Sequence, residues 1–426
     1  MAHHTHTSGY LRLVDRLNRF PQGAPSGETL YKILALLFSE REAELVSLLP
    51  IKPFTAEQAA AAWKVDVSSA RNTLDALAGK ALLLDMEFEG RTTYVLPPPM
   101  AGFFEFSLMR VRGDIDQKAL SELFYQYLNV EDDFVRALFA GGETQMGRAF
   151  VHEPALSEEN QLTVLDYERA SEVIKTASHR GVGLCYCRHK MLHVGRNCEA
   201  PLEICMSFNA VAESLSRHGY IRLIDTGECL ELLEKACEHR LVQFGENVRE
   251  RVSFICNCCG CCCEAMTAAR KFGFMHPVHT TSFIPVLNEQ ACAGCGKCVS
   301  ACPVEALSLV SAHDPFHPKR KKVVLDSVRC LGCGVCTRVC SGGSLTLTPR
   351  KERVLPPLNS VHRIVLMAIE RGKLQDLLFD NRVLLSHRVL AAVLGVILKL
   401  PPVKQALAGR QMKSRYLETL IARKKI

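Results

Sequence analysis

Cysteine is spaced in this chain the way metal ligands are spaced. In ACAGCGKCVSACPVEAL it stands at Cys292, Cys295, Cys298 and Cys302, a C-x2-C-x2-C-x3-C-P run, and RCLGCGVCTRVCSGG repeats the spacing as Cys330, Cys333, Cys336 and Cys340. An earlier region is denser. LCYCRHKMLHVGRNCEAPLEICMSF holds Cys185, Cys187, Cys198 and Cys205, and FICNCCGCCCEAM holds Cys256, Cys258, Cys259, Cys261, Cys262 and Cys263. Six cysteines within eight residues are more than a disulfide scaffold packs together, and thiolates at that density are ligands for soft metal ions and clusters. The N-terminus MAHHTHTSGYLRLVDRLNRF has no unbroken apolar stretch that would read as a secretory signal. We therefore expect a cytoplasmic protein, in which 20 cysteines serve metal or redox chemistry rather than cross-links.

The doubled run has a geometric cause. Three cysteines two apart, with small Gly or Ala between them, let the backbone wrap one face of a four-iron cubane and aim each sulfur at a different iron. The fourth, three residues on, lies past the wrap and reaches a neighbouring cluster. Zinc also takes four cysteines, but as two separated C-x2-C knuckles rather than as one run. On these residues the segment 284–348 resembles a bacterial dicluster ferredoxin domain. The resemblance implies two [4Fe-4S] clusters, with Cys292, Cys295, Cys298 and Cys340 on one and Cys330, Cys333, Cys336 and Cys302 on the other. It departs at Ser341, where the family carries proline. That proline shapes the turn after the ligand and is not itself a ligand, so ligation stays in place.

The ten thiols between 185 and 263 exceed what one cubane uses. One or two further [4Fe-4S] clusters, or a larger or non-cubane assembly, would account for them. Both segments begin where a short apolar strand runs out, Val182–Leu184 and Val252–Ile255, and a strand end is where a loop can gather ligands. Adjacent cysteines such as Cys258 and Cys259 point apart and can both ligate only by serving different irons. The Cys258-Cys259-Gly260 triplet resembles the cysteine-rich domain of heterodisulfide reductases, which holds a non-cubane cluster. CYCRH, CNCCGCCC and the ferredoxin-like segment together resemble a group of multi-cluster iron–sulfur proteins of anaerobes. His189 and His193, at i and i+4, are expected to hydrogen-bond cluster sulfurs or simply to pack. Cys229 and Cys237 are different: in TGECLELLEKACEHRL they share a helical stripe with Leu232, Leu233 and Ala236 and read as core.

The elements that must position these residues read as a multidomain α+β chain. Helical spacing over 29–38 and 42–49, a Thr55–Gln58 capping box, a helix over 70–77 opened by Ser68 or Ser69, and two strand-like runs about Glu89-Gly90 resemble the winged helix-turn-helix of bacterial regulators. We place that domain at 1–98. A helical spacer follows at 99–180, with helices over 115–128 and 165–177. The cysteine-rich domain takes 181–275, the dicluster domain 276–350, and a helical extension with a basic tail 351–426.

Apolar residues make up 48% and charged residues 23%, an ordinary globular composition. The net charge of +7 is concentrated at the end of the chain, where 404–425 hold seven Lys or Arg against the single acid Glu418. The longest apolar stretch, Val389 to Leu398, is too short to span a bilayer. The tail could still rest on an anionic membrane surface, or be a frayed and solvated end. His3, His4 and His6 could bind stray metal at a terminus that is usually disordered. Lys319, Arg320, Lys321 and Lys322 could dock an acidic protein redox partner, or be a solvated loop. Nucleic acid is the less expected partner. Arg71 is the only base within 65–79, against Asp66 and Asp75, and phosphate contacts need Lys and Arg. No flavin, nicotinamide or phosphate-binding glycine fingerprint is present. The leading expectation is an electron-transfer protein or oxidoreductase subunit that passes single electrons through at least two [4Fe-4S] clusters. The alternatives are a redox-responsive regulator using the winged helix, and a reductase with an unusual cluster at 185–263.

Overall fold

A computed structural model describes residues 8–88, 90–140, 142–312 and 319–380, together with 390, 391, 393 and 394. His3, His4 and His6, residues 313–318 of the lysine-bearing loop, most of the apolar run 389–398 and the basic tail 404–425 lie outside the described residues. The chain divides into two units. One comprises Met1–Thr144, Arg217–Tyr220 and Ser360–Ile426, and the other Gln145–Ser216 and Ile221–Asn359. Helix and sheet are both present, in keeping with an α+β class.

In the first unit the helices form where caps satisfy their first amides. Ser39 opens Glu40–Ser47, accepting from Glu42 N at 3.2 Å while its own N–H donates to the Glu42 carboxylate at 2.8 Å. Thr55 and Gln58 make the same exchange at the start of Ala56–Trp63. The next helix begins earlier than its apolar spacing suggests, at Val67, because Asp66 rather than a serine is its cap: Ser69 donates its N–H and its hydroxyl to that carboxylate at 2.9 and 2.6 Å. A charged acceptor at the positive end of a helix outcompetes a hydroxyl. Ala70, Leu74 and Leu77 form its buried stripe. Leu84–Phe88 and Arg91–Val95 then pair antiparallel, with Leu84 opposite Val95. Gln117–Tyr125 buries Leu120 and Phe124 and is continued by a wide turn to Val130. One helix the sequence pattern did not announce, Ser8–Arg19, buries Leu13, Val14 and Leu17.

The second unit is built on one antiparallel sheet, in the order Gly147–Ala149, Val242–Glu246, Phe254–Cys258, Glu203–Phe208, Arg180–Leu184, Arg222–Leu223. Val182, Met206, Phe208 and Ile255 form a core with the helices Ala170–Thr176 and Thr226–Glu238. The first of these helices is shorter than its apolar pattern. Asp166–Glu168 is a separate 3-10 turn, closed when Leu165 N donates to Glu168 at 2.9 Å. Cys229 and Cys237 lie in the second helix, 0% and 4% exposed, in the positions their helical stripe implies. Among the described residues no helix is long and apolar enough to cross a membrane.

Candidate metal centres

Residues 283–312 and 319–349 fold as two copies of one small device. Phe283–Leu287 pairs antiparallel with Leu345–Pro349, and Leu307–Ser311 with Lys321–Leu325. Two short helices, Lys297–Ala301 and Val335–Arg338, each carry the third cysteine of a run, Cys298 and Cys336. The bends between ligands fall on glycine. Gly294 and Gly332, at matching places in the two runs, have φ of +63° and +68°, and a Cβ there would run into the carbonyls of Lys321 and Phe283. Only glycine meets both demands.

The thiols come together across the two runs. Cys302, Cys330, Cys333 and Cys336 line one pocket, whose other walls are glycine and apolar residues such as Pro303, Leu307, Leu325 and Val335. Cys292, Cys298 and Cys336 are buried in a second apolar cluster, with Cys302 and Cys340 at its edge. Backbone amides already point at sulfur: Ala306 N donates to Cys302 Sγ at 3.2 Å and Gly332 N to Cys330 Sγ at 3.4 Å. Burial pushes the Cys333 thiol up to about 12 and Cys336 in the same direction. At Cys340 burial also pushes upward, but Ser344, 3.1 Å away, and nearby backbone amides outweigh it and hold the thiol below its usual range. Apolar walls, four converging sulfurs and amides aimed at them suit a cationic metal core whose charge offsets thiolates that would not ionise alone. The residues present fit [4Fe-4S] clusters.

The ten thiols of the earlier region are gathered by sheet register. Met206 pairs with Ile255, so Cys205 and Cys256 come opposite one another, on the face away from the apolar core. Two residues along the same strand, Cys258 shares that face. The Arg180–Leu184 strand breaks register at Gly183/Leu184 and delivers Cys185 beyond its end, with Cys185 N bonded to Leu202 O at 2.7 Å. Cys185 then stands at the position before the helix Tyr186–His193, and Cys263 at the position before Glu264–Lys271.

These thiols separate into two sets. Cys185 contacts Cys187 and Cys205, Cys205 contacts Cys256, and Cys187 and Cys258 both contact Cys263. Five of these six are buried, and Cys256 is partly so. Thiol hydrogen bonds from Cys187 and Cys205 hold Cys185 well below the usual range, while burial pushes Cys187 well above it. The other four, Cys198, Cys259, Cys261 and Cys262, have their Sγ atoms within 4.8 Å of one another. Cys258 and Cys259 fall in different sets. Cys261 and Cys262 do not: residues 260–262 are a turn rather than a strand, which brings both sulfurs to one side, 3.6 Å apart.

Several polar residues at this site gave no signal in the sequence as ligand neighbours. Arg188, fully buried, donates to Pro201 O at 2.8 Å and to Asn257 O. Burial opposes its charge, yet Cys185, Cys205, Cys259 and Cys258 raise its pKa, so it acts on both thiol sets. Lys190, also fully buried, is ion-paired with Glu264, tying the helix after Cys187 to the helix after Cys263. CYCRHK itself does not mark these bases as buried. Their only signal is two bases inside a segment flanked by four cysteines. His189 and His193 face each other at 3.2 Å between Nε2 atoms. The two cysteine regions also touch. A side chain at Gly260 would meet the Pro303 carbonyl at 2.8 Å, beside Cys302.

Compared with known families, residues 291–344 match the model of the 4Fe-4S dicluster domain. Neither the curated proteins nor the solved structures gave a match to the chain. The chain thus carries a 4Fe-4S dicluster domain over about an eighth of its length.

Proposed function

We propose that this protein is an electron carrier or oxidoreductase subunit in which the dicluster domain exchanges single electrons with a further metal centre in the region 185–263. Cys292, Cys295, Cys298 and Cys340 would hold one [4Fe-4S] cluster, and Cys302, Cys330, Cys333 and Cys336 the other. The buried six, Cys185, Cys187, Cys205, Cys256, Cys258 and Cys263, would hold an additional iron–sulfur centre. One-electron redox chemistry is what such clusters supply when bound. The chain's part is to bury the sulfurs, aim amides at them and set nearby charge, as Ala306 N, Gly332 N and Arg188 do. The observation that carries the proposal is the packing of Gly260 against Pro303, which puts the turn of the second thiol region next to a ligand of the first. Lys319–Lys322, with Lys322 paired to Glu289 at 3.1 Å, would offer an acidic redox protein a docking edge on the same domain.

Iron, acid-labile sulfide and EPR of the anaerobically purified and reduced full chain test this. We expect more than the about eight irons of two cubanes, and a Cys302→Ser/Cys333→Ser variant that loses about four of them. Stoichiometric zinc without sulfide in the wild type would sink the proposal.

A second reading, a redox-responsive regulator, is favoured by the helices followed by a hairpin over 28–95, which is the order of a winged helix, with Ser68, Ser69, Arg71 and Asn72 exposed on Val67–Gly79. Its basic footprint is poor. Lys80 is engaged by Glu42 at 2.6 Å, and Glu57 lies in the field of Arg71 and Arg91. The full chain should therefore show only weak DNA affinity that falls steeply with salt. A sequence-specific footprint that persists at physiological salt would favour the regulator.

A further inference from the structure

We propose that Cys198, Cys259, Cys261 and Cys262 form a mononuclear site, a tetrathiolate holding one divalent ion, with zinc as its occupant, and not a further iron–sulfur cluster. The spacing of the sulfurs carries this. An ion bound by four thiolates at about 2.3 Å sets them at the corners of a tetrahedron with edges of about 3.8 Å. Cys198 and Cys259 are 3.8 Å apart, Cys261 and Cys262 are 3.6 Å apart, and no pair among the four exceeds 4.8 Å. A cubane needs more room, because each thiolate caps a different iron and the four sulfurs stand outside the cube.

The chain supplies its own standard of comparison. Among the described residues no other three Cys, His, Asp or Glu side chains draw their ligand atoms within that limit. The eight cysteines in the matched dicluster segment are included in that statement. Sulfurs meant for cubanes are held apart here, and these four are held together.

Chain path and chemistry agree with a structural ion. Cys259 follows the end of the Phe254–Cys258 strand, Cys261 and Cys262 lie in the turn after it, and Cys198 comes from the loop between His193 and Glu203. One ion would staple that loop to the turn. All four positions are thiol, so the site is closed, which is the pattern of structural zinc, and soft sulfur donors disfavour magnesium and calcium. Cys261 is exposed and Cys198 and Cys259 partly so, which gives the ion a way in from solvent. Binding would displace the thiol protons that remain.

The full-length protein, purified without oxygen, is assayed for zinc, iron and acid-labile sulfide beside a Cys198→Ser/Cys261→Ser variant. The variant should lose one zinc per chain and keep its iron and sulfide. Cys198→His, which offers nitrogen in place of sulfur, should keep the ion and so separates ligand loss from misfolding. After exchange of zinc for cobalt, the wild type should show the strong visible absorption of tetrahedral cobalt thiolate, and the double variant should not. Loss of one iron without sulfide would keep the single-ion site and change its occupant. Loss of about four irons with matching sulfide, or no change in any metal, would overturn it. The dicluster quartets are untouched by these substitutions, so the outcome is independent of the electron-carrier proposal.

Discussion

The two cysteine regions reach ligand geometry by opposite routes. In the dicluster segment the route is local: Cys292–Cys298 and Cys330–Cys336 each supply three thiols within one short bend, and glycines at positive φ make the bends possible. In 185–263 the route is tertiary. Cys205 and Cys256 meet because two strands pair in one register, Cys185 because a third strand breaks register, and Cys187 and Cys263 because two helix starts are tied by Lys190 and Glu264. A local device leaves a spacing that can be read off the chain. A tertiary one leaves only a count of thiols.

The sharpest way to break this comparison is to cut the tie. Lys190→Met removes the ammonium paired with the Glu264 carboxylate, in a site where both partners are 4% exposed or less. Removing one partner of a buried pair typically costs about 3–5 kcal/mol. The thermal or urea midpoint should fall accordingly, and iron bound by the second region should be lost, while the dicluster iron stays. Lys190→Met/Glu264→Met should recover part of the stability, since an apolar pair of similar volume leaves no buried charge. If the dicluster iron departs as well, the two regions fold as one and the contrast between local and tertiary routes fails.

A smaller effect is expected from the other side. Gly332→Ala places a Cβ against the Phe283 carbonyl at a φ of +68°, a strain on the order of 2 kcal/mol. Iron analysis should show the cluster of Cys302, Cys330, Cys333 and Cys336 bound less tightly, with the thiols of 185–263 unaffected. Gly294→Ala should do the same to the other quartet, because the two glycines occupy matching places. An unchanged iron content in both would mean that the bends are not what positions the ligands.

What could be read from the sequence follows the same division. The cysteine runs, the Thr55–Gln58 box and the hairpin about Gly90 are short-range patterns, and each is legible in the order of residues alone. The parting of ten thiols into six and four is not. It depends on whether residues 256–263 run as strand or as turn, and that changes midway, at Cys259. Arg188 and Lys190 are illegible for a related reason. A base in a sequence reads as solvent-facing, and only the tertiary thiolates and Glu264 make its burial tolerable. Asp66 displaces the expected serine cap through charge, a preference of fractions of a kcal/mol that periodicity does not register.

The finest test asks whether position, rather than residue type, separates ligand from core within one domain. Cys229 and Cys237 belong to the same unit as the ten thiols, yet both sit on the apolar stripe of Thr226–Glu238. Burial pushes the Cys229 thiol up to about 12, and its sulfur lies 3.2 Å from Met206 Sδ, a contact between two soft apolar groups. Cys237 Sγ accepts from Gln243 Nε2 at 3.2 Å. Cys237→Ala leaves that buried amide without its acceptor, at a cost of about 1–2 kcal/mol. Cys229→Ala removes one sulfur from a packed core and should cost about 1 kcal/mol. Neither should change iron, zinc or sulfide content. The denaturation midpoint should drop in the order Cys237→Ala, then Cys229→Ala, with every metal retained. Loss of iron from either variant would mean that the helix stripe does not keep its thiols apart from the centre, and that the ligand count of this region is larger than ten.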